Sequence, residues 1–191
     1  MKSLCSLVDG ARRANNTAKL SNMPFDLQPT LTGHLLHLRP LTPHDFDALF
    51  AVASDPLIWE QHPSSDRYKK EVFEKFFLDA LDSHGALIAI DNQTHRVIGS
   101  SRFYGHDPEK SEIEIGWSFL ARSHWGGLYN REMKQLMLRH AFQFVNSVIF
   151  LVGHQNFRSQ RALAKIGALP AGTRIDHNGQ ERLAFRIERS R

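Results

Sequence analysis

The run Glu112-Ile113-Glu114-Ile115-Gly116-Trp117-Ser118-Phe119 alternates apolar and small or acidic residues, and within a few positions it feeds Gly126-Gly127 and then an amphipathic helix. A strand, a glycine turn and a helix in that order commit the centre of the chain to an α/β arrangement. The turn also has chemical consequences. A helix that begins there presents free backbone N–H groups and a positive dipole end, which together suit a diphosphate. Alternation along the strand sends Ile113, Ile115, Trp117 and Phe119 to one face and Glu112, Glu114, Gly116 and Ser118 to the other. Two carboxylates therefore share a face beside a glycine that permits close approach.

The remaining periodicities fill in around this unit. Leu35 to Leu41 reads as a strand, and Thr42-Pro43 supplies a helix cap with proline in the first turn. Phe46, Leu49, Phe50 and Ala53 recur at helical spacing, as do Val72, Phe73, Phe76, Phe77, Ala80 and Leu81. Between them lies the polar loop Trp59 to Ser65. Ala86 to Ile90 and Val97 to Tyr104 form paired strands around Asp91 to Thr94. Met133, Leu136, Met137, His140, Ala141 and Phe144 mark a third helix, followed by the buried-type strand Val148 to Val152. Asn156 to Ile166 is helical again. Two strands, Gly167 to Arg174 and Arg182 to Ile187, close the chain around Asn178-Gly179. The resulting order, β-α-α-β-β-β-α-β-α-β-β, belongs to a mixed sheet. Residues 1–24 lack periodicity and are read as a flexible tail, with Met23 an alternative start; residues 25–191 are read as one domain.

Composition narrows the chemistry. With 191 residues, 41% of them hydrophobic, the chain is long enough for one well-buried core. No stretch approaches a membrane span and the N-terminus has no secretory core, so a soluble, cytoplasmic protein is expected. A single cysteine, Cys5, leaves no disulfide or thiolate metal site within the chain. The eleven histidines adopt no zinc spacing, and no metal is expected. The net charge of +4 suits an anionic partner. It also leaves room for a basic RNA-binding accessory domain, although arginines and lysines form no continuous tract.

About two dozen residues after the glycine turn comes Asn156-x-x-Ser159-x-Arg161-Ala162-Leu163-x-Lys165-x-Gly167. Asn156 and Ser159 share a helix face, offering an amide and a hydroxyl; Arg161 and Lys165, four apart, offer two cations. Each also has a plainer reading, Asn156 as a helix cap and the cations as solvated surface. Together the two stretches resemble the acyl-CoA-binding motifs of the GNAT N-acetyltransferase superfamily, and their wording is most similar to the RimJ/RimL-like branch. The resemblance spans about residues 25 to 188.

That resemblance implies a mixed, mostly antiparallel sheet of six to seven strands flanked by about four helices. It implies acetyl-CoA as co-substrate and a primary amine as acceptor. Cofactor contacts would come from Trp117 and Phe119 on the strand, from Arg122, Trp125, Gly126, Gly127, Leu128, Tyr129 and Asn130 around the turn, and from Asn156, Ser159, Arg161 and Lys165. The turn departs from the family pattern, because Leu128 stands at the usual second glycine and Trp125 replaces a basic residue. Since leucine adopts positive φ only at a cost, the helix is expected to start at that point with ordinary dihedrals.

Transfer to an amine needs a base, because an amine with a pKa of roughly 8 to 10.4 is mostly protonated at neutral pH. Glu114 is nominated, with Glu112 as the second choice. The amine attacks the thioester directly, a backbone N–H of the strand meets the oxyanion, and Ser159, with Asn156 beside it, donates to the leaving thiolate. A non-catalytic acyl-CoA-binding sensor is the alternative. The acceptor, a protein N-terminus or a small amine, stays open, as does homodimer formation.

Overall fold

The computed structural model describes residues 24–190. The expected tail therefore lies almost wholly outside the described residues, as do Cys5 and Met23. Eight strands form a single sheet in the order β1-β2-β3-β4-β5-β6-β8-β7. They are β1 (Leu31–Thr32), β2 (Leu36–Pro40), β3 (Ala86–Asp91), β4 (Val97–Asp107), β5 (Glu112–Leu120), β6 (Ser147–Val152), β7 (Leu169–Ile175) and β8 (Glu181–Glu188). Every neighbouring pair is antiparallel except β5 and β6. The helices are α1 (Phe46–Ala53), α2 (Lys70–Asp82), α3 (Leu128–Ala141) and α4 (Phe157–Lys165). One strand exceeds the expected six to seven. The addition, β1, is a two-residue rung on β2, too short to leave a periodic signature.

Strand β3 shows how the layers form. All six of its residues are buried, and alternate side chains feed two different cores. Leu87 and Ala89 join Met133, Met137 and Ala141 of α3, whereas Ala86, Ile88 and Ile90 join Leu49 of α1 and the phenylalanines of α2. The sheet is thus sandwiched between helices, and a strand covered on both faces is apolar throughout. Phe25 is the first anchor, with its ring 5.3 Å from that of Phe103 and 4.9 Å from that of Phe144. The expected cap at Thr42-Pro43 opens a short 3-10 turn, Pro43–Asp45, before α1 begins. Asp45 accepts from the Thr42 N–H at 2.8 Å and pairs with Arg39 at 2.6 Å.

Two irregularities around β5 position the site. First, β5 pairs with β6 only from Glu112 to Glu114; beyond that β5 stays with β4 and β6 stays with β8, so the parallel strands splay apart. Second, β5 contains a bulge. Arg102 faces Gly116 and Ser100 faces Phe119, so three steps in β5 match two in β4, and Trp117 takes a φ of 51°. The strict alternation expected for Glu112 to Phe119 therefore breaks at Trp117. Ile113 and Ile115 pack on the α3 side, but Phe119 and Trp117 pack with the α1 and α2 core, and Ser118 turns toward α3. The extra residue reverses every side chain after it.

Candidate active site

The splay opens into a cleft of about 540 Å³ floored by Ile115–Leu120 and Phe150–Val152 and rimmed by the starts of α3 and α4. At its α3 end, Gly126 and Gly127 have φ of 105° and 113°, values that only glycine adopts without strain. Leu128 is the first residue of α3 and is not among the positive-φ positions, so its side chain, largely exposed, puts no strain on the turn. Among the described residues, no acceptor receives the backbone N–H groups of residues 126 to 130; the first bond runs from the Arg131 N–H to the Gly127 carbonyl at 2.9 Å. A Cβ placed on Gly126 or Gly127 would meet nothing within 4 Å, so the ground above these N–H groups is open. Free donors, a helix dipole and open space fit a diphosphate.

At the other rim, the Asn156 side chain accepts from the Ser159 N–H at 3.1 Å and caps α4. Asn156, Ser159, Arg161 and Lys165 all line the cleft, as do Trp117, Phe119, Trp125, Gly126, Gly127, Leu128 and Asn130. Trp125 donates its indole N–H to the Leu120 carbonyl at 2.9 Å and lies 4.3 Å from the Arg158 guanidinium. Two residues expected on the cofactor are turned elsewhere. Arg122 pairs with Asp55, and the Tyr129 hydroxyl donates to Asp91 at 2.6 Å; neither lines the cleft. They brace the turn from behind, where the His124 and Tyr129 rings meet edge to face at 4.6 Å.

The two carboxylates of β5 separate cleanly. Glu112 is 3% exposed and held by Arg174, at 3.1 Å through one contact, and by Arg186 at 2.5 Å. A carboxylate locked between two guanidiniums is a structural anchor. Glu114 has no such partner among the described residues. Its side chain folds back over Gly116, where an added Cβ would lie 2.9 Å from Oε1. Burial, reinforced by Asp176 and opposed by Arg102, pushes its pKa up to about 7.

The sequence matches the family model for an acetyltransferase (GNAT) domain over residues 36–169. The chain belongs to the GNAT acetyltransferase family. Members of that family transfer an acetyl group from acetyl-CoA to an acceptor. No curated protein sequence matches the chain. Solved structures share the GNAT fold. A GCN5-related N-acetyltransferase from Brucella melitensis is 20% identical with a TM-score of 0.73, covering 86% of this chain and 80% of that one. An acetyltransferase from Agrobacterium tumefaciens C58 is 24% identical with a TM-score of 0.64, covering 88% and 98%. Mycobacterium smegmatis RimJ, solved with CoA-disulfide, is 19% identical with a TM-score of 0.63, covering 84% and 87%.

Within this GNAT domain the structure adds residues that the motifs did not mark. Lys134, on α3, lines the cleft and is 4% exposed. Its ammonium donates to the Ser118 hydroxyl and lies 3.5 Å from that of Ser101 and 5.4 Å from the Phe150 ring. Burial pulls its pKa down to about 7. Lys134 stands three residues before Met137 and so borders the stripe of Met133, Leu136 and Met137, a placement that does not by itself bury it. Arg102 and Arg67, which do not line the cleft, lie 5.8 and 4.5 Å from the Phe76 ring. In the Trp59–Ser65 loop, Trp59 is held by its indole bond to the Ala53 carbonyl at 2.7 Å and packs on Phe119 at 5.0 Å, and it lines the cleft with His62.

Proposed function

We propose that this GNAT domain moves an acetyl group from acetyl-CoA to a primary amine, on a polypeptide N-terminus or a small molecule, by direct attack assisted by Glu114. The observation that carries the reading is Glu114 itself: a carboxylate with a pKa raised to about 7, seated over Gly116 where β5 and β6 part. Such a group is an effective base near neutrality, where an ordinary carboxylate would be too weak. The N–H groups of residues 126 to 130 hold the diphosphate of acetyl-CoA, and Arg161 and Lys165 lie toward its remaining phosphate. Bound acetyl-CoA supplies the thioester, whose acyl group the protein directs toward β5.

Glu114 then takes the proton from the amine, directly or through water. The bulge after Gly116 frees β5 backbone from its ladder, and an N–H there receives the charge that develops on the carbonyl oxygen. Ser159 donates to the leaving sulfur, while Asn156 fixes the helix turn that carries it. The wording Trp125-Gly126-Gly127, with Leu128 opening α3 unstrained, supports a place in the RimJ/RimL-like branch.

Glu114→Gln should lower kcat by about 10²- to 10⁴-fold, the usual worth of a positioned base, and should flatten the rise of rate with pH through about 7. Acetyl-CoA affinity should be unchanged. A variant that turns over normally would remove Glu114 from the reaction.

A further inference from the structure

We infer that the acceptor side of this site takes an amine that also carries a carboxylate. The inference rests on the acetyl-transfer reading above and deepens it. Arg102 faces Gly116 across the β4–β5 ladder while Tyr104 faces Glu114, so Arg102 and Glu114 are diagonal neighbours. Arg102 is 4% exposed, its guanidinium 4.6 Å from the Trp117 ring and 5.8 Å from that of Phe76. The aromatic faces offset part of its charge. They leave its donors idle, for Nε and Nη2 are buried without a hydrogen-bond partner.

A buried guanidinium with unmade hydrogen bonds is costly, because the lost hydration is not replaced. No carboxylate among the described residues lies within 4.0 Å of it. Arg67, half-buried, lies 4.5 Å from the same Phe76 ring. It touches the His62 ring at 3.2 Å and is likewise in no ion pair among the described residues. Burial brings both arginines to a pKa of about 10, so both stay charged at neutral pH, whereas burial beside Arg67 keeps His62 neutral. Asp176 is occupied by Arg182 at 2.8 Å.

Asp79 and Asp66 are exposed and attract Arg102 and Arg67 only from a distance, pairing with neither, so the buried Arg102 donors are left for an incoming anion. Diagonal positions on adjacent strands are about 7–8 Å apart. Two side chains reaching inward across that span can hold an ammonium and a carboxylate separated by only a few bonds. Free amino acids and polypeptides with an acidic first residue share this chemistry.

The test uses the full chain, acetyl-CoA and matched acceptors: free amino acids against their carboxamides, and peptides beginning with Asp or Glu against those beginning with Asn or Gln. Thiol release is measured and rates are referred to the free-amine concentration. The acidic member of a pair should exceed its amide in kcat/KM by about ten- to hundredfold, as expected for a charge-assisted contact. Which pairs show the gap identifies the source. R102M should bring the ratio toward one and R67M should reduce it, with the calorimetric affinity for acetyl-CoA retained. Amides used as well as acids by the unaltered protein, with acetyl-CoA still bound, would overturn the inference and leave the transfer reading intact. Loss of acetyl-CoA binding itself would overturn both.

Discussion

Gly116 makes room for the Glu114 carboxylate, the proposed base. A Cβ there would sit 2.9 Å from Glu114 Oε1, so Gly116→Ala should push the carboxylate off its seat without touching the cofactor turn. We expect kcat/KM to fall about ten- to hundredfold, since small misplacements of a reacting group cost that much. The acetyl-CoA dissociation constant, measured by calorimetry, should be unchanged; equal turnover would show that the seat is immaterial. The glycine beside two carboxylates was readable from the sequence, because alternation places them on one face. The different surroundings of Glu112 and Glu114 were not, because Arg174 and Arg186, more than sixty residues away in sequence, occupy Glu112. Lys134 and Arg67 escaped for the same reason. A cation looks solvated in a sequence, and only long-range packing reveals that it is buried.

At the scale of elements, strands and helices followed hydrophobic period closely, but the two departures from regularity did not. The β5 bulge interrupts an apolar alternation that continues unbroken in the sequence, so Trp117 and Phe119 were assigned to the wrong face. The splay of β5 from β6 depends on which partner each strand keeps, information that no local pattern holds. The glycine turn, by contrast, was legible, and so was the ordinary start of α3 at Leu128. Gly127, with φ of 113°, carries the conformational demand. Gly127→Ala should cost about 1–3 kcal/mol of stability, seen as a lower Tm, and should weaken acetyl-CoA binding by disturbing the free N–H groups. An unchanged Tm and affinity would mean that the turn tolerates a Cβ and is not a strained anion cradle.

For the whole molecule, one sheet between two helical layers opens its single parallel strand pair into a cleft. Among the described residues, no helix is long and apolar enough to cross a membrane. The half-buried Glu114 leaves a global signature. Its folded pKa, about 7, lies above the ordinary 4.5, so the stability it contributes is complete below about 4.5 and is lost as pH rises to about 7. Urea unfolding of the native chain against Glu114→Gln across that window should show a difference growing by about 1–3 kcal/mol in favour of the variant. A constant difference would mean that Glu114 titrates normally. The central claim, that the splayed strands and the glycine turn together receive acetyl-CoA, is tested most directly by calorimetric titration of the folded full-length chain with acetyl-CoA. The account predicts saturable heat with one site per chain; no saturable heat from correctly folded protein would contradict it.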